Sequence, residues 1–317
     1  MFDGKAKEEK MLHVQAYLTL TFVSMLYGGN IISARVISHQ IPSITLSAIR
    51  GLLGLFILVP FAWRQLLAAG KPNRKELFSF ALLGFLGMSL PYTSLVWGMK
   101  YSTATNASII LAAAPAVTIA MLAVGWRVKP SGRQVVGILT SFLGLLLVFS
   151  KGSLSYLISL NINAGDFILL INVVSSSIFN ILGQEVMKRF SPLVTAAYSL
   201  LFGTLILIPY AGWELHTTSW HLSWQGWLIV FYMGVLVTGS AFLLNLRGVN
   251  QIGSGKAAIF VNLAPVFGII LGMIILQESL YLYHWIGIFL VLVGIILALI
   301  KRKDDSRGKA SVKIIKI

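Results

Sequence analysis

Acidic residues and cysteine are what this sequence has least of. Only 10 of its 317 residues are Asp or Glu, 11% are charged in all, and there is no cysteine. The lack of cysteine excludes disulfides, cysteine-ligated zinc and thiol catalysis. A chain that is 57% hydrophobic, with a mean hydropathy of +0.84, lacks the polar surface that a soluble domain needs. The sequence therefore predicts an integral membrane protein.

The residues that an intramembrane enzyme needs are also scarce. There is no HExxH motif and no pair of acids in the middle of an apolar run, and His13 and His284 lie at the ends of such runs. Catalysis at that depth requires a nucleophile, an acid–base pair or a metal cluster. We therefore expect no enzymatic activity, no cofactor and no metal site. Glu214, His216 and His221 share one loop, but their loose spacing favours surface residues over metal ligands.

Ten apolar runs are present, and each is about long enough to cross ~30 Å of hydrocarbon. They cover residues 14–34, 42–62, 77–98, 103–125, 132–150, 164–186, 192–212, 224–247, 254–276 and 282–300. The first run is not followed by a small-residue cleavage site, so we interpret it as a retained helix.

The second half of the chain repeats the first at an offset of 150 residues, most clearly at Pro115 and Pro265, each preceded by alanine. Further identities at this offset are Asn30 and Asn180, Pro42 and Pro192, Gly84 and Gly234, Gly98 and Gly248, Ala107 and Ala257, Gly137 and Gly287, Gly144 and Gly294, and Lys151 and Lys301. Matches in order at one fixed offset indicate a duplicated unit. Because proline removes a backbone donor and crowds the carbonyl four residues back, we expect both helices to open near these prolines and to act in gating.

Positive charge orients the ten runs. With the N-terminus in the cytoplasm, only Arg35, Lys100 and Lys151 of the 25 Lys and Arg residues fall in outer loops, and Arg50 lies within a run. Cytoplasmic loops carry such an excess of Lys and Arg, so we expect both termini in the cytoplasm of a multi-pass plasma-membrane protein. The net charge of +15 reflects this topology rather than nucleic-acid binding, since the basic residues form short clusters between apolar runs.

An odd number of helices in each repeat places the two repeats in opposite orientations. The predicted fold is an all-α integral membrane protein with ten transmembrane helices in two inverted five-helix repeats. Inverted repeats are typical of alternating-access carriers, whose substrate site lies near the midplane where the repeats meet. The predicted segments are a cytoplasmic N-terminus 1–13, a first repeat 14–151, a linker 152–163, a second repeat 164–301 and a basic cytoplasmic tail 302–317.

This organisation resembles the EamA-like family of the drug/metabolite transporter superfamily. The likeness rests on the fourth helix of each repeat, rich in small residues around Ala-Pro, and on a last helix punctuated by glycine. Gln277-Glu278-Ser279, followed by His284-Trp285-Ile286-Gly287, resembles the family's pattern between its ninth and tenth helices, and Arg50 after Pro42 also matches. The sequence departs from internal symmetry at Val128 and Leu200, which stand where the offset would place partners of Glu278 and Arg50.

The resemblance implies a central cavity between helices 1, 3 and 4 of one repeat and 6, 8 and 9 of the other. We select as its lining the polar and aromatic residues Tyr27, Asn30, Tyr92, Trp97, Asn106, Ser177, Asn180, Asn245 and Asn262. Each has an alternative role, because amides and hydroxyls within membrane helices also bond to neighbouring helices or to their own backbone.

Arg50 has two interpretations. A buried arginine in a membrane span has to face protein or water, so its partner is a substrate carboxylate or a carbonyl at a helix end. Because helix 2 is peripheral in the resembled fold, the sequence favours a structural role.

The predicted function is export of small neutral or zwitterionic metabolites, such as amino acids, by alternating access. Efflux of drugs is the sister interpretation, and an intramembrane enzyme or a channel is a minor one. The expected partners are a small-molecule substrate and the lipid bilayer, with no nucleic acid, and the expected assembly is a monomer or homodimer.

Overall fold

The computed structural model describes residues 2–125, 131–153, 155, 163–252 and 263–299. Within these ranges the chain is helical apart from turns and short connections, and it contains no strand. The prediction of an all-α chain is confirmed for this part of the molecule.

The described part of the first half contains seven α-helices and a π-helical segment between the third and the fourth. They are α1 (Phe2–Ile37), α2 (Ser43–Ala68), α3 (Arg74–Gly84), the first π segment (Phe85–Ser89), α4 (Leu90–Met99), α5 (Ala104–Ala112), α6 (Ala114–Gly125) and α7 (Gly132–Phe149). The described part of the second half follows the same order. It comprises α8 (Ala164–Val186), α9 (Pro192–Thr217), α10 (Trp224–Phe231), the second π segment (Tyr232–Ala241), α11 (Phe242–Ile252), α12 (Leu263–Leu276) and α13 (Leu282–Leu299).

Several of these helices are long and apolar enough to cross a membrane. Among the described residues seven such spans occur, at Val14–Ile37, Ser43–Ala68, Arg74–Met99, Ala104–Leu122, Ala164–Val186, Pro192–Thr217 and Trp224–Gly248. Three shorter apolar helices accompany them, at Val135–Gly144, Val266–Leu276 and Leu282–Gly294. The seven spans indicate a multi-pass membrane protein, and the count of ten crossings stays a prediction.

The two π segments occupy corresponding places in the halves. Residues 85–89 correspond to residues 235–239 at the offset of 150, and the second π segment contains that range. Within it, the hydroxyls of Thr238 and Ser240 donate to the carbonyls of Met233 (2.8 Å) and Val235 (3.2 Å), five residues back. Such wide turns often mark functional sites. Nothing in the sequence predicts them.

The helix that contains Pro115 is interrupted as expected. α5 ends at Ala112 and α6 begins at Ala114, and the N–H of Ala113 bonds to the carbonyl of Ile110, three residues back (3.1 Å). The corresponding segment before Pro265 lies outside the described residues, because α12 begins at Leu263.

Close helix crossings repeat with the halves exchanged. A Cβ added at Gly84 would meet the backbone N of Gly203 at 2.5 Å, and a Cβ added at Gly234 would meet the side chain of Leu53 at 2.7 Å. Leu53 and Gly203 are 150 residues apart, as are Gly84 and Gly234. Small residues let membrane helices approach closely at such crossings. The same contact therefore joins the span Arg74–Met99 to α9 in one place and the span Trp224–Gly248 to α2 in the other.

Helices of the two halves interleave, and their ends define two faces. α7 packs along α13, α2 along α9, α1 along α12 and α4 along α8. One set of ends, which we call the acid-capped face, brings together the starts of α2, α5 and α8, the last turn of α9 and the residues after α12. The opposite set, the basic face, brings together the end of α2, the starts of α3 and α9 and the end of α11.

Candidate functional site

Arg50 is the most unusual side chain of the described bundle. It lies on α2 with an exposed fraction of 0%, although arginine is seldom fully buried without a partner. None of Nε, Nη1 and Nη2 has a hydrogen-bond partner among the described residues. The carbonyl at a helix end that a structural role required is therefore not found in this part of the chain. Five N–H donors and a positive charge remain directed into the bundle.

Tyrosines from three other segments surround this guanidinium. Its carbon lies 4.3 Å from the centroid of the Tyr92 ring, which is the geometry of a cation–π contact. Tyr27 of α1 and Tyr232 of the second π segment are near enough to interact with it electrostatically. We refer to Arg50, Tyr27, Tyr92 and Tyr232 as the Arg50 cluster.

Local structure fixes the position of Tyr232. Its hydroxyl donates to the carbonyl of Leu26 on α1 at 2.7 Å. Gly29 permits this approach, because a Cβ at that position would collide with the Tyr232 hydroxyl. Tyr27 packs against the same group of apolar residues as Tyr232, so α1 and the second π segment hold both rings together.

The Arg50 cluster lies below the acid-capped face. Arg50 is seven residues into α2 from Ser43, and Tyr92 is seven residues before Met99, so both are roughly 10 Å inside the helix ends at 1.5 Å per residue. Side chains from both halves of the chain reach this depth. Carriers with inverted repeats bind substrate at this type of position, between the two halves and away from the helix ends.

Other buried acceptors in the spans also lack partners among the described residues. They are Asn30 Oδ1, Thr93 Oγ1 and Asn245 Oδ1, accompanied by the hydroxyls of Ser43, Thr195 and Ser199. Asn30 lies one turn from Tyr27 on α1, and a buried amide without a partner costs about 1–3 kcal/mol.

Glu214 closes the start of α2. The N-cap residue of α2 is Pro42, whose side chain provides no cap. The Glu214 carboxylate accepts instead from the N–H of Thr45 (2.7 Å), the hydroxyl of Thr45 (2.8 Å) and the N–H of Ile44 (3.5 Å). A carboxylate at a helix N-terminus satisfies free N–H groups and the helix dipole. Glu214 is thus half-buried and caps α2, a role that the sequence does not predict, whereas His216 and His221 are exposed as predicted.

Glu278 caps the start of α5 in the way that Glu214 caps α2. Its carboxylate accepts from the N–H groups of Ala104 and Thr105, both at 2.9 Å, and from the Thr105 hydroxyl at 2.5 Å. Gln277, with φ of 53°, ends α12 in the left-handed conformation, and the N–H of Glu278 returns to the carbonyl of Gly272 (3.3 Å). The role of Glu278 that the sequence leaves open is thus a cap supplied from another helix.

Further polar links cross the acid-capped face. The Ser102 hydroxyl donates to the buried carboxylate of Asp166, and Arg35 donates to the carbonyl of Met99. Asn106 Oδ1 lies 3.3 Å from Nε2 of His284. Except for that of Arg35, each of these contacts joins the first half of the chain to the second, as do both acid caps.

The basic face is held differently. Arg189 pairs with Glu76, and the Ser191 hydroxyl donates to Oε1 of Gln65 at 2.6 Å. The Arg189 side chain is 65% exposed. A cavity of about 360 Å³ opens here, lined by Gln65, Ser191, Pro192, Leu193, Arg247 and Gln251. This face is therefore less tightly closed than the acid-capped face among the residues that the structure describes.

The residues selected from the sequence divide into groups. Tyr27 and Tyr92 belong to the Arg50 cluster, and Asn30 and Asn245 lie in the spans as buried or half-buried amides. Asn106 lies at the acid-capped face, and the Ser177 hydroxyl donates to the Ala114 carbonyl beside the break in the fourth span (3.2 Å).

The remaining selected residues lie elsewhere. Trp97 is 49% exposed and Asn180 is exposed, unlike their buried neighbours. Asn262 lies outside the described residues. Pro115 and Pro265 lie within α6 and α12, and their gating role stays a prediction.

Two participants of the site were not selected from the sequence, Arg50 and Tyr232. The cost of a charge inside a span was the available signal for Arg50. Tyr232 had no such signal, since one tyrosine in an apolar helix looks like any other.

Comparisons with known proteins are consistent with this architecture. The model of the EamA-like transporter family matches residues 15–150 and again residues 163–300. The chain is 25% identical over 299 residues to the uncharacterized transporter YetK of Bacillus subtilis, covering 93% of this chain and 90% of YetK. It is 27% identical over 300 residues to the uncharacterized inner membrane transporter YicL of Salmonella typhimurium, covering 92% and 96%.

A solved crystal structure shares the fold. It aligns with a TM-score of 0.62 at 16% identity, over 90% of this chain and 96% of that one. Together with the apolar helices, the double match to one family model identifies the protein as a multi-pass membrane transporter, and the chain belongs to the EamA-like transporter family.

Proposed function

We propose that this protein is a secondary transporter that exports small metabolites such as amino acids by alternating access. It has ten membrane crossings in two inverted five-helix repeats, with both termini in the cytoplasm and the basic face on the cytoplasmic side of the plasma membrane. Drug efflux is the sister function, which the transport experiment below distinguishes.

Three observations support the duplicated architecture. The family model matches the chain twice, the π segments fall at the same place in both halves, and the close crossings at Gly84 and Gly234 are the same contact with the halves exchanged. Repeats that exchange partners in this way suit a carrier in which one half rocks against the other.

The observation that carries the proposal is a set of polar groups inside membrane spans with no protein partner among the described residues. Arg50, Asn30 and Asn245 all contribute to it. Polar groups at this depth are costly unless they are paired, and they mark substrate paths in membrane proteins. A single cation among amides and tyrosines suits a small zwitterionic or neutral solute rather than a multiply phosphorylated one, which requires several basic residues.

The links across the acid-capped face support a gate. Both acid caps connect a helix of the first repeat to the end of a helix of the second, so opening a path on this face requires breaking them. The described conformation therefore corresponds to a carrier closed towards the outside.

Loss of solute from proteoliposomes tests the function. Vesicles loaded with a mixture of amino acids should lose a subset of them in a saturable manner, compared with protein-free vesicles. Asn30→Leu removes a buried amide and should slow this loss, whereas Arg64→Gln changes an exposed side chain near the end of α2 and serves as the control. Loss of lipophilic drugs but of no amino acid would replace metabolite export by drug efflux, and loss of neither would contradict both.

A further inference from the structure

We propose that Arg50 is the substrate-binding residue for a carboxylate, so that the transported solutes are small monocarboxylates, zwitterionic amino acids among them. This proposal rests on the proposed function and narrows its substrate class. Tyr92 is the surface that holds the guanidinium in position.

No carboxylate whose side chain the structure describes neutralises Arg50. Each of the five acidic side chains that the structure describes is engaged elsewhere. Glu76 pairs with Arg189, Glu185 with Lys188, Asp166 with Ser102, Glu214 with Thr45 and Glu278 with Thr105. The cation is therefore left for an anion that enters from outside the protein.

The guanidinium is arranged for a planar acceptor. Contact with the Tyr92 ring fixes one side of the group, while all three of its nitrogens remain without an acceptor among the described residues. Arginine on an aromatic surface presents its N–H groups as a fork, which matches the two oxygens of a carboxylate. A carbonyl or hydroxyl of a neutral solute offers only one acceptor and no charge.

The position of Arg50 connects binding to the transport cycle. Arg50, Tyr27 and Tyr92 come from the first half of the chain, whereas Tyr232 comes from the second half. A carboxylate that contacts both the Arg50 guanidinium and Tyr232 therefore contacts both halves of the chain at once. Its binding energy is therefore available to change their relative arrangement.

The first arm of the test needs no variant. Proteoliposomes that contain the full chain are loaded with equal amounts of several amino acids and of their carboxamides, for example leucine with leucinamide and phenylalanine with phenylalaninamide. The loss of each compound is measured by mass spectrometry against protein-free vesicles. We expect the carboxylates that are transported to leave at least about tenfold faster than the matched amides, because the amide loses the charge-assisted bidentate contact.

The second arm assigns the effect to Arg50. Arg50→Gln should slow loss of the transported carboxylates by about tenfold or more and abolish the preference for carboxylates over amides. Arg50→Lys keeps the charge but not the bidentate N–H geometry, so its transport rate should lie between those of the wild type and Arg50→Gln. Arg64→Gln is the matched control, since Arg64 lies on the same helix and is exposed. Thermal shift of each purified variant with the same carboxylates provides a binding measurement that is independent of transport.

The outcomes separate this inference from the proposed function. Equal loss of amino acids and amides overturns carboxylate recognition and leaves the transporter in place. Loss of no amino acid and no amide contradicts the proposed export function itself. Retention of the preference by a folded Arg50→Gln protein overturns the assignment to Arg50. If that variant does not fold, the wild-type comparison and Arg50→Lys still decide the question.

Discussion

The two faces of the bundle differ although they derive from the same repeated sequence. At the acid-capped face the start of α2 is closed by Glu214, which binds Thr45. At the offset of 150 the corresponding residues are Arg64 and Thr195, and the Thr195 hydroxyl has no partner among the described residues. The start of α9 is capped by its own Ser191 instead. Thus, at one face, carboxylates from the opposite half cap the helix starts. At the other face this helix start has a local cap, and the halves are joined by the exposed Arg189–Glu76 ion pair and the Ser191–Gln65 hydrogen bond.

This difference explains how a symmetric scaffold can favour one conformation. Inverted repeats by themselves give two equivalent arrangements, one open on each side, of similar free energy. In the proposed carrier, the caps that Glu214 and Glu278 supply from the opposite half stabilise the arrangement in which the acid-capped face is closed. In the proposed alternating-access carrier, the free-energy difference between the two arrangements therefore depends on a few residues that break the symmetry rather than on the repeats.

The largest effect should come from Glu278→Ala. It leaves the N–H groups of Ala104 and Thr105 and the Thr105 hydroxyl without their acceptor, and bonds to a charged group contribute about 1.5–3 kcal/mol. We expect the free energy of unfolding to fall by about 2 kcal/mol and the closed state of this face to be depopulated. Thermal unfolding in detergent, followed by tryptophan fluorescence, measures the first effect. Glu185→Ala, which removes an ion pair with Lys188 outside this face, is the control, and an equal loss in both variants would contradict the special role of Glu278.

Glu214→Gln should have an intermediate effect. Glutamine keeps one acceptor oxygen but removes the charge at the start of α2, so the expected loss of stability is about 1 kcal/mol. Thr45→Val removes only the hydroxyl contact and should cost less than Glu214→Gln in the same unfolding experiment. A larger loss from Thr45→Val would show that the hydroxyl rather than the cap holds this face.

Arg189→Gln on the basic face should have the smallest effect. Its ion pair with Glu76 involves a side chain that is 65% exposed, and exposed ion pairs contribute about 0–1 kcal/mol. We expect little change in the unfolding temperature at physiological salt. If this variant were as destabilised as Glu278→Ala, the contacts at the two faces would contribute equally to stability. The proposed difference between the faces would then be wrong.

The helices can be predicted from the lengths of the apolar runs, and the break in the fourth span from Pro115. The internal repeat can be predicted from identities at one fixed offset. The family resemblance, which rests on the same sequence signals, is confirmed by the match to the EamA-like family model. The π segments are not predictable, since a wide turn changes no apolar pattern. Glu214 and Glu278 lie beyond the ends of the apolar runs 192–212 and 254–276, and only packing brings them to the starts of α2 and α5.

The candidate site is harder to predict than the fold. The type of a polar residue does not reveal which face of its helix is directed into the bundle. Asn30 is buried, for example, while Asn180 at the matching position is exposed. Arg50 is conspicuous in the sequence, but its tyrosine surroundings come from segments that are distant along the chain.

Cysteine labelling tests the closed acid-capped face most directly, because the chain has no cysteine of its own. Thr93→Cys places a reporter beside Tyr92, and Thr217→Cys places an exposed control at the acid-capped face. A membrane-impermeant maleimide added from outside should label Thr217→Cys quickly and Thr93→Cys slowly. Removal of both caps by Glu214→Ala and Glu278→Ala should accelerate labelling of Thr93→Cys by roughly tenfold. Rapid labelling of Thr93→Cys with both caps intact, or continued protection after both are removed, would contradict the account.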